Sequence, residues 1–441
     1  MKRVRILLYI VLILALGGCN LPGGSAAALP EVDRSAKLNT STAAQFSAQV
    51  TATRQPTQTP SAESNPEGSN QPAAESAPAM HPFLVQSEVT IQEIHMLDAL
   101  NGWGVGTQTD SSDHILFTED GGQTWAERTP PEPASVETLR ATTHFANARL
   151  AWVLYAPEND PPPMHDPIIW YTRDGGHSWQ ASQPLPLTGQ EGWFDPEDFV
   201  FIDERSGWLL VHIDAGMSHD YSHLFATYDG GQTWERIADP YGVGLQSLQN
   251  TGMAFADDQF GWVSKDNLGV MQGAFYEATF DGGLTWETQF LPAPDGLDWF
   301  TEISQCATSS PLFLQPEEIG LLIVRCYTLS QNDTTFGEAS LTYIYATPDR
   351  GENWHYSQLA SPVESLVFVT PELGWAFGRD YFTTTDGGLT WKALKSLNWD
   401  GQFSFVDAEL GWAVARNEDR IALVSTSNGA LTWQIIEPVM K

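Results

Sequence analysis

The sequence is short of cations, cysteines and long apolar runs. Its 441 residues hold 21 Lys+Arg against 55 Asp+Glu, a formal net charge of −34. Six of those cations and five of those acids precede residue 83, so the remainder is no less acidic. Nucleic acid and anionic lipid are held by clustered Lys and Arg, so neither is expected to bind the protein surface. Three cysteines exclude a disulfide-dense scaffold. The apolar run from Ile6 to Leu16 is shorter than the roughly 20 residues a membrane-spanning helix needs. There is no Gly-x-Ser-x-Gly elbow and no Asp-x-Asp-x-Asp-Gly calcium loop. The many Gly-Gly pairs precede no helical pattern, so no phosphate loop and no cofactor is expected. At 42% hydrophobic and 11% aromatic, most of the chain can bury a core.

The N-terminus reads as an address. Lys2, Arg3 and Arg5 precede the apolar run, which ends at Leu16-Gly17-Gly18-Cys19. A basic segment, a short apolar core and small residues before a cut point make a signal peptide over 1–18. Leu-Gly-Gly-Cys resembles the lipobox of bacterial lipoproteins, whose cysteine becomes the acylated first residue. Cys19 is therefore the expected lipidation site, and several acyl chains on one residue suffice for stable anchoring. The other reading is an ordinary secretory signal with an incidental cysteine. Residues 19–82 are rich in Ser, Thr, Ala, Gln and Pro, as in Gln55-Pro56-Thr57-Gln58-Thr59-Pro60. Such a composition buries too little to offset chain entropy and reads as a tether. As a flexible coil it would set the folded part on the order of 40–50 Å from the membrane. The expected location is extracytoplasmic, with membrane contact through the lipid only.

From residue 83 to 441 one octet recurs. It runs Thr118-Glu-Asp-Gly-Gly-Gln-Thr-Trp125, then begins again at Thr172, Thr227, Thr279, Thr347, Thr384 and Thr426, seven copies in all. Its acid is Asp120, Asp174, Asp229, Asp281, Asp349, Asp386 and, in the last copy, Asn428. Asp or Asn accepts hydrogen bonds from its own turn, Gly supplies the positive φ, and Trp packs inward: this is a hairpin turn. Arg350 replaces a Gly in the fifth copy and Ala430 in the seventh. Before most octets stands a Gly-Trp pair, at Trp103, Trp208, Trp262, Trp375 and Trp412, with Ala151-Trp152 in the second repeat and a degraded Gly320-Leu321 in the fifth. Each unit thus reads as four short antiparallel strands. Radial repetition of such units predicts an all-β, seven-bladed β-propeller with four-stranded blades.

The octet and the Gly-Trp-Gly-Val-Gly106 element together resemble the Asp-box, or bacterial neuraminidase repeat, superfamily. Within it they are most similar to the photosystem II assembly factor-like propellers. The resemblance covers residues 89–437. It implies a propeller that serves as a scaffold holding a partner, with the Asp boxes as structural turns. The same superfamily contains glycoside hydrolases. A sialidase needs three arginines and a tyrosine nucleophile. The early Phe-Arg-Ile-Pro motif is missing, and only Arg140, Arg325, Arg379, Arg416 and Arg420 stand outside the turns. A xyloglucanase-like enzyme needs two opposed carboxylates, and the sequence singles out no pair.

Thirteen of the 17 tryptophans belong to octets or Gly-Trp pairs and are expected in the core. Trp170 lies in a strand. Trp193, Trp299 and Trp399 remain, each in a connection between repeats and each beside an acid: Asp195, Asp298 and Asp400. Those connections share a face with the links between second and third strands, opposite the octets. Aromatics beside carboxylates suit stacking on sugars or peptide side chains. The alternative is that each Trp caps its own repeat. Arg379 and Arg416 are expected to edge the same face as its few cations. A cationic or sugar-like ligand fits so acidic a field better than an anion. The octet face is expected to be a poor binding surface, because its polar groups are spent on backbone.

His212, Asp214, His219, Asp220 and His223 fall in a segment read as a polar loop. They could ligate a metal, but nothing in their spacing requires one and no metal site is assigned. If Cys19 is acylated, Cys306 and Cys326 remain as a pair. They lie on adjacent antiparallel strands of repeat five, within disulfide reach, in an oxidising compartment. Two buried free thiols are the alternative. The function expected overall is a surface-tethered, non-enzymatic propeller that binds a protein or glycan, with an Asp-box glycoside hydrolase as the alternative.

Overall fold

Each octet closes as its residue types dictate. Thr118 Oγ1 donates to Asp120 Oδ1 (3.0 Å) and accepts from Gly122 N (2.9 Å), while Asp120 Oδ1 accepts from Thr124 N (2.8 Å). Asp174, Asp229, Asp281, Asp349 and Asp386 repeat the pattern. Asn428 keeps it by accepting from Thr432 N with Oδ1 and donating to Thr432 Oγ1 through Nδ2 (2.8 Å). Arg350 and Ala430 hold the glycine conformation, at φ 60° and 71°. An L-residue is strained there, by about 1 kcal/mol.

The computed structural model describes residues 86–441 apart from 108–110, 132–137, 159–165, 188–192, 217–218, 239–244, 246–247, 267–272, 296–304, 316–318, 328–340 and 419. The signal peptide, Cys19 and the tether lie outside the described residues, as do Asp298 and Trp299.

The described chain is all β. Repeat one shows the plan: Thr90–Met96, Gly102–Thr107, His114–Thr118 and Thr124–Glu127 pair in sequence order, each antiparallel to the next. Second strands are almost wholly buried, whereas outermost strands such as Lys392–Ser396 are mostly exposed. Burial therefore peaks at the second strand and is least at the outermost. The Gly-Trp tryptophans follow suit and are buried. Of the octet tryptophans only Trp125 and Trp234 are buried; the other five, near the rim, are half-buried. The expectation that all thirteen are core is corrected accordingly.

Five of the sheets are separate propeller blades, four with four strands and one with five. The fifth strand of that sheet is Val439–Met440, which adds parallel to Thr124–Glu127 of repeat one. Repeat seven also bonds repeat one directly: Ile94 N donates to Gln402 Oε1 (2.9 Å) and Met96 N to Ser404 Oγ (2.9 Å). The expectation of seven separate blades fails at one place. Repeats four and five form one eight-stranded sheet, because Asp266 at the end of Gly261–Asp266 pairs with Ala307 in Gln305–Leu314.

A rule of contact joins neighbouring repeats. The Gly-Trp indole of one repeat stacks on the last aromatic of the next repeat's inner strand and donates to a turn carbonyl of that repeat. Trp152 stacks on Phe201 (3.7 Å) and donates to Gly230 O (3.0 Å). Trp208 stacks on Phe255 (3.7 Å) and donates to Gly282 O (2.9 Å). Trp103 stacks on Phe145 and donates to Asn147 O, and Trp412 donates to Gly121 O. Trp262, between repeats four and five, is tilted 48° against Phe313, and its buried Nε1 has no hydrogen-bond partner.

Candidate functional site

Trp193 comes just before the inner strand of repeat three, Asp195–Phe201, and is 42% exposed. Its indole meets the His212 ring edge-on at 5.5 Å. His212 lies in the second strand, Gly207–Gly216, directly opposite Asp195. The segment expected to be a polar loop over 212–223 is instead the tip of a long hairpin: Gly207–Gly216 pairs with His219–Thr227 almost to its end. A register shift between His212 and Asp214 interrupts the ladder there, and a bulge of this kind re-aims side chains.

His212 Nε2 lies 2.7 Å from Asp220 Oδ1 and 2.9 Å from Asp214 O. Burial opposes the charged imidazole. The bond to Asp220, its charge and that of Glu197 outweigh burial and push His212 up to about 9. At neutral pH the imidazole is protonated, 2.7 Å from Asp220 Oδ1 and beside an exposed indole. His223 is buried and lies 3.4 Å from Arg236 Nη1, so it faces away from this group. Among the described residues, no group of three or more His, Cys, Asp or Glu is placed to hold a metal ion.

The other residues singled out from sequence do not join this cluster. Trp399 is half-buried and packs into repeat seven, on Phe403 (5.6 Å) and edge-on to Trp433 (5.7 Å). It caps its own repeat. Asp400 is exposed and pairs in register with Arg416. Arg416 is half-buried and donates to Gln92 O (2.7 Å) and Gln92 Oε1 (3.0 Å), tying repeat seven to repeat one. Burial lowers its pKa, against the pull of Glu93 and Asp113. Arg379 is exposed and by itself links the second and third strands of repeat six.

Beyond Arg416, charges alternate onward into repeat two. Arg140 holds Asp113 at 3.1 Å and Glu158 at 3.1 Å, and donates to Ser111 O. Burial raises the pKa of Asp113, which Glu93 reinforces and Arg140 and the Ala141 amide oppose. Arg140 stood out in the sequence only as an arginine outside the turns. Asp113 and Glu158 gave no signal, because their partnership crosses two repeats.

Cys306 and Cys326 sit opposite each other in register and form a disulfide with Cα atoms 4.1 Å apart. Two buried free thiols are thereby set aside.

No known protein-family profile matches the chain, and no curated protein matches it. Solved structures do. One, YCF48 bound to a D1 peptide, is 18% identical, covering 80% of this chain and 99% of that one, with TM-score 0.49. YCF48 from Cyanidioschyzon merolae is 15% identical, covering 79% and 97%, with TM-score 0.45. An α-L-arabinanase of Penicillium chrysogenum complexed with arabinobiose is 13% identical, covering 68% and 96%, with TM-score 0.43. The neighbours thus include YCF48 and an α-L-arabinanase. At these identities and TM-scores they say nothing about activity or ligand.

Proposed function

We propose that the chain is a surface-tethered, non-enzymatic propeller of seven repeats that binds a protein or glycan partner. The binding face is the one formed by the links between repeats and between second and third strands. The observation that carries this reading is Trp193, a large indole left in solvent beside the His212–Asp220 pair. An exposed aromatic plane next to a fixed charge pair stacks on a sugar ring or an apolar side chain while the charges select polar groups. Arg379 and Asp400 edge the face as further contacts; Trp399 and Arg416 support it from behind. Asp298 and Trp299 belong to the proposal by their place in the sequence. Acylation of Cys19 on an extracytoplasmic membrane belongs to it as well, and a free amino group beyond residue 19 of the mature chain would refute that part.

Two assays test the reading. Full-length protein is used to capture partners from the parent cell surface, with Trp193→Ala in parallel; loss of a specific partner by at least tenfold is expected. Turnover is then measured on a panel of aryl glycosides and sialosides, and none is expected. Turnover that disappears on replacing one carboxylate of this face would overturn the reading in favour of a glycoside hydrolase.

A further inference from the structure

The octet face carries most of the large apolar side chains that the described surface exposes, contrary to what its uniform turns suggest. The reason lies in the second and sixth letters of the octet, which the turn leaves free. In repeats one and two they are Glu119, Gln123, Arg173 and His177. In repeats three and four they include Tyr228, Phe280 and Leu284, which are 47%, 56% and 52% exposed.

The three belong to adjacent turns of one face. The second-letter side chain reaches over the next repeat's turn: a Cβ on Gly282 would stand 3.4 Å from the Tyr228 hydroxyl, inside the octet that holds Phe280 and Leu284. Beneath them, Tyr228 meets Trp208 edge-on (6.4 Å) and Phe280 meets the buried Phe260 (5.3 Å). Tyr228 therefore rests on the indole that joins repeats three and four, and Phe280 on the ring of Phe260 in repeat four. Single exposed apolar residues such as Leu389 and Leu431 are ordinary; three on two adjacent turns, one of which reaches into the other's octet, mark an interaction surface.

Charge selects the occupant. Of the arginines beside the patch, Arg350 is paired with an acid, Arg205 bonds a backbone carbonyl, and Arg173 reaches over the Gly230 turn; the acids outnumber them. Arg205 donates to Tyr228 O through Nε and Nη2, and Arg350 is bound to Asp257 (2.7 Å) above the Phe260 ring. The acids Glu204, Glu235 and Asp258 are exposed around the rim, and Asp258, Glu235 and Asp281 all act on the Tyr228 hydroxyl. An apolar centre with an acidic rim complements a segment that alternates apolar and basic residues. A second copy of a chain with net charge −34, or an anionic lipid surface, meets repulsion there.

We propose that Tyr228, Phe280 and Leu284 form a second docking surface, on the octet face of repeats three and four, for a basic, amphipathic segment of another protein. It is independent of the Trp193 site, which lies on the opposite face.

The test uses the full chain and two labelled 14-residue peptides, one built of Leu and Lys and one of Leu and Glu, with binding read by fluorescence anisotropy. The Leu/Lys peptide is expected to bind and the Leu/Glu peptide not to bind. The variant Tyr228→Ser/Phe280→Ser/Leu284→Ser should weaken binding at least tenfold, Glu235→Gln/Asp258→Asn about threefold to tenfold, and Trp193→Ala less than twofold. All three variants change exposed side chains, and an unchanged thermal midpoint verifies that each is folded. Equal binding by the triple variant overturns the proposal, because it would show attraction to diffuse negative charge alone. Concentration-dependent dimers that the triple variant abolishes would overturn it in favour of a second copy. Flotation of the parent, but not the triple variant, with phosphatidylglycerol vesicles would overturn it in favour of a membrane.

Discussion

The junction between repeats three and four and the junction between repeats four and five solve one problem in two ways. At the first, Trp208 lies flat on Phe255 and its Nε1 reaches Gly282 O. At the second, Trp262 is tilted on Phe313 and its Nε1 bonds nothing. Two sequence departures meet there. Five residues separate Phe255 from Gly261, while six separate Phe313 from Gly320. Arg350 also stands where Gly282 stands in the neighbouring octet. In place of the indole bond the structure has a set of stronger ties. Arg350 bonds Asp257, Thr308 Oγ1 accepts from Lys265 N and donates to Phe275 O, and the two sheets merge at Asp266 and Ala307. On one side of the junction, within repeat four, Lys265 and Glu277, 0% and 2% exposed, form an ion pair at 2.9 Å, and Lys265 also donates to Asn250 Oδ1. The disulfide then staples the inner and second strands of repeat five. The lesson is that the latch is replaceable, provided polar ties across the junction, Arg350 to Asp257 and Thr308 to Lys265 N and Phe275 O, stand in for it.

Breaking the buried ties on either side of this junction should hurt most. Lys265→Met takes the cation away from the buried Glu277 carboxylate, and should cost about 3–5 kcal/mol by denaturant titration. The pair Lys265→Met/Glu277→Met should recover most of this; if it does not, the ion pair is more than a replaceable tie. Cys306→Ala/Cys326→Ala should cost about 2–4 kcal/mol. A loss under about 0.5 kcal/mol would show that repeat five does not depend on its staple.

The charge pair of repeat three gives a contrast outside that junction. A histidine raised to about 9 lends stability that is whole below its unfolded pKa near 6.5 and is lost as pH rises through 9. The parent should therefore lose about 2–3 kcal/mol between pH 6.5 and 9.5 that Asp220→Asn does not lose. Parallel pH profiles for the two proteins would contradict the pairing. His144, lowered to about 4 by burial, works in the opposite direction and costs stability as pH falls below about 6.5.

The sharpest test of the comparison is a matched pair. Trp208→Phe keeps the ring stack but orphans the Gly282 carbonyl, and should cost about 1–3 kcal/mol. Trp262→Phe removes an indole N–H that already lacks a partner, and should cost at least 1 kcal/mol less than Trp208→Phe. Equal losses would erase the difference between the junctions. The smallest effect belongs to Ala430→Gly, which relieves a positive φ of 71° and should raise stability by about 1 kcal/mol.

The sequence by itself determined the repeat, the hairpin turns and the strand order. Those depend on local chemistry: an acid that bonds its own turn, glycines at positive φ, and alternation within short strands. It also placed the disulfide, since two strands joined by one short turn leave little choice of register. The one-residue lengthening before Gly320 was equally visible, but its consequence was not. Tertiary structure decided whatever depends on partners from other repeats. It decided that repeats four and five share a sheet and that Trp399 caps its own repeat while Trp193 stands in solvent. It tied Arg416 to Gln92, and it set Tyr228, Phe280 and Leu284 on adjacent turns of one face. A repeat pattern fixes each unit's fold because its turns bond within themselves. Which side chains meet across a junction depends on the neighbour's shape, and that is set only when the ring closes.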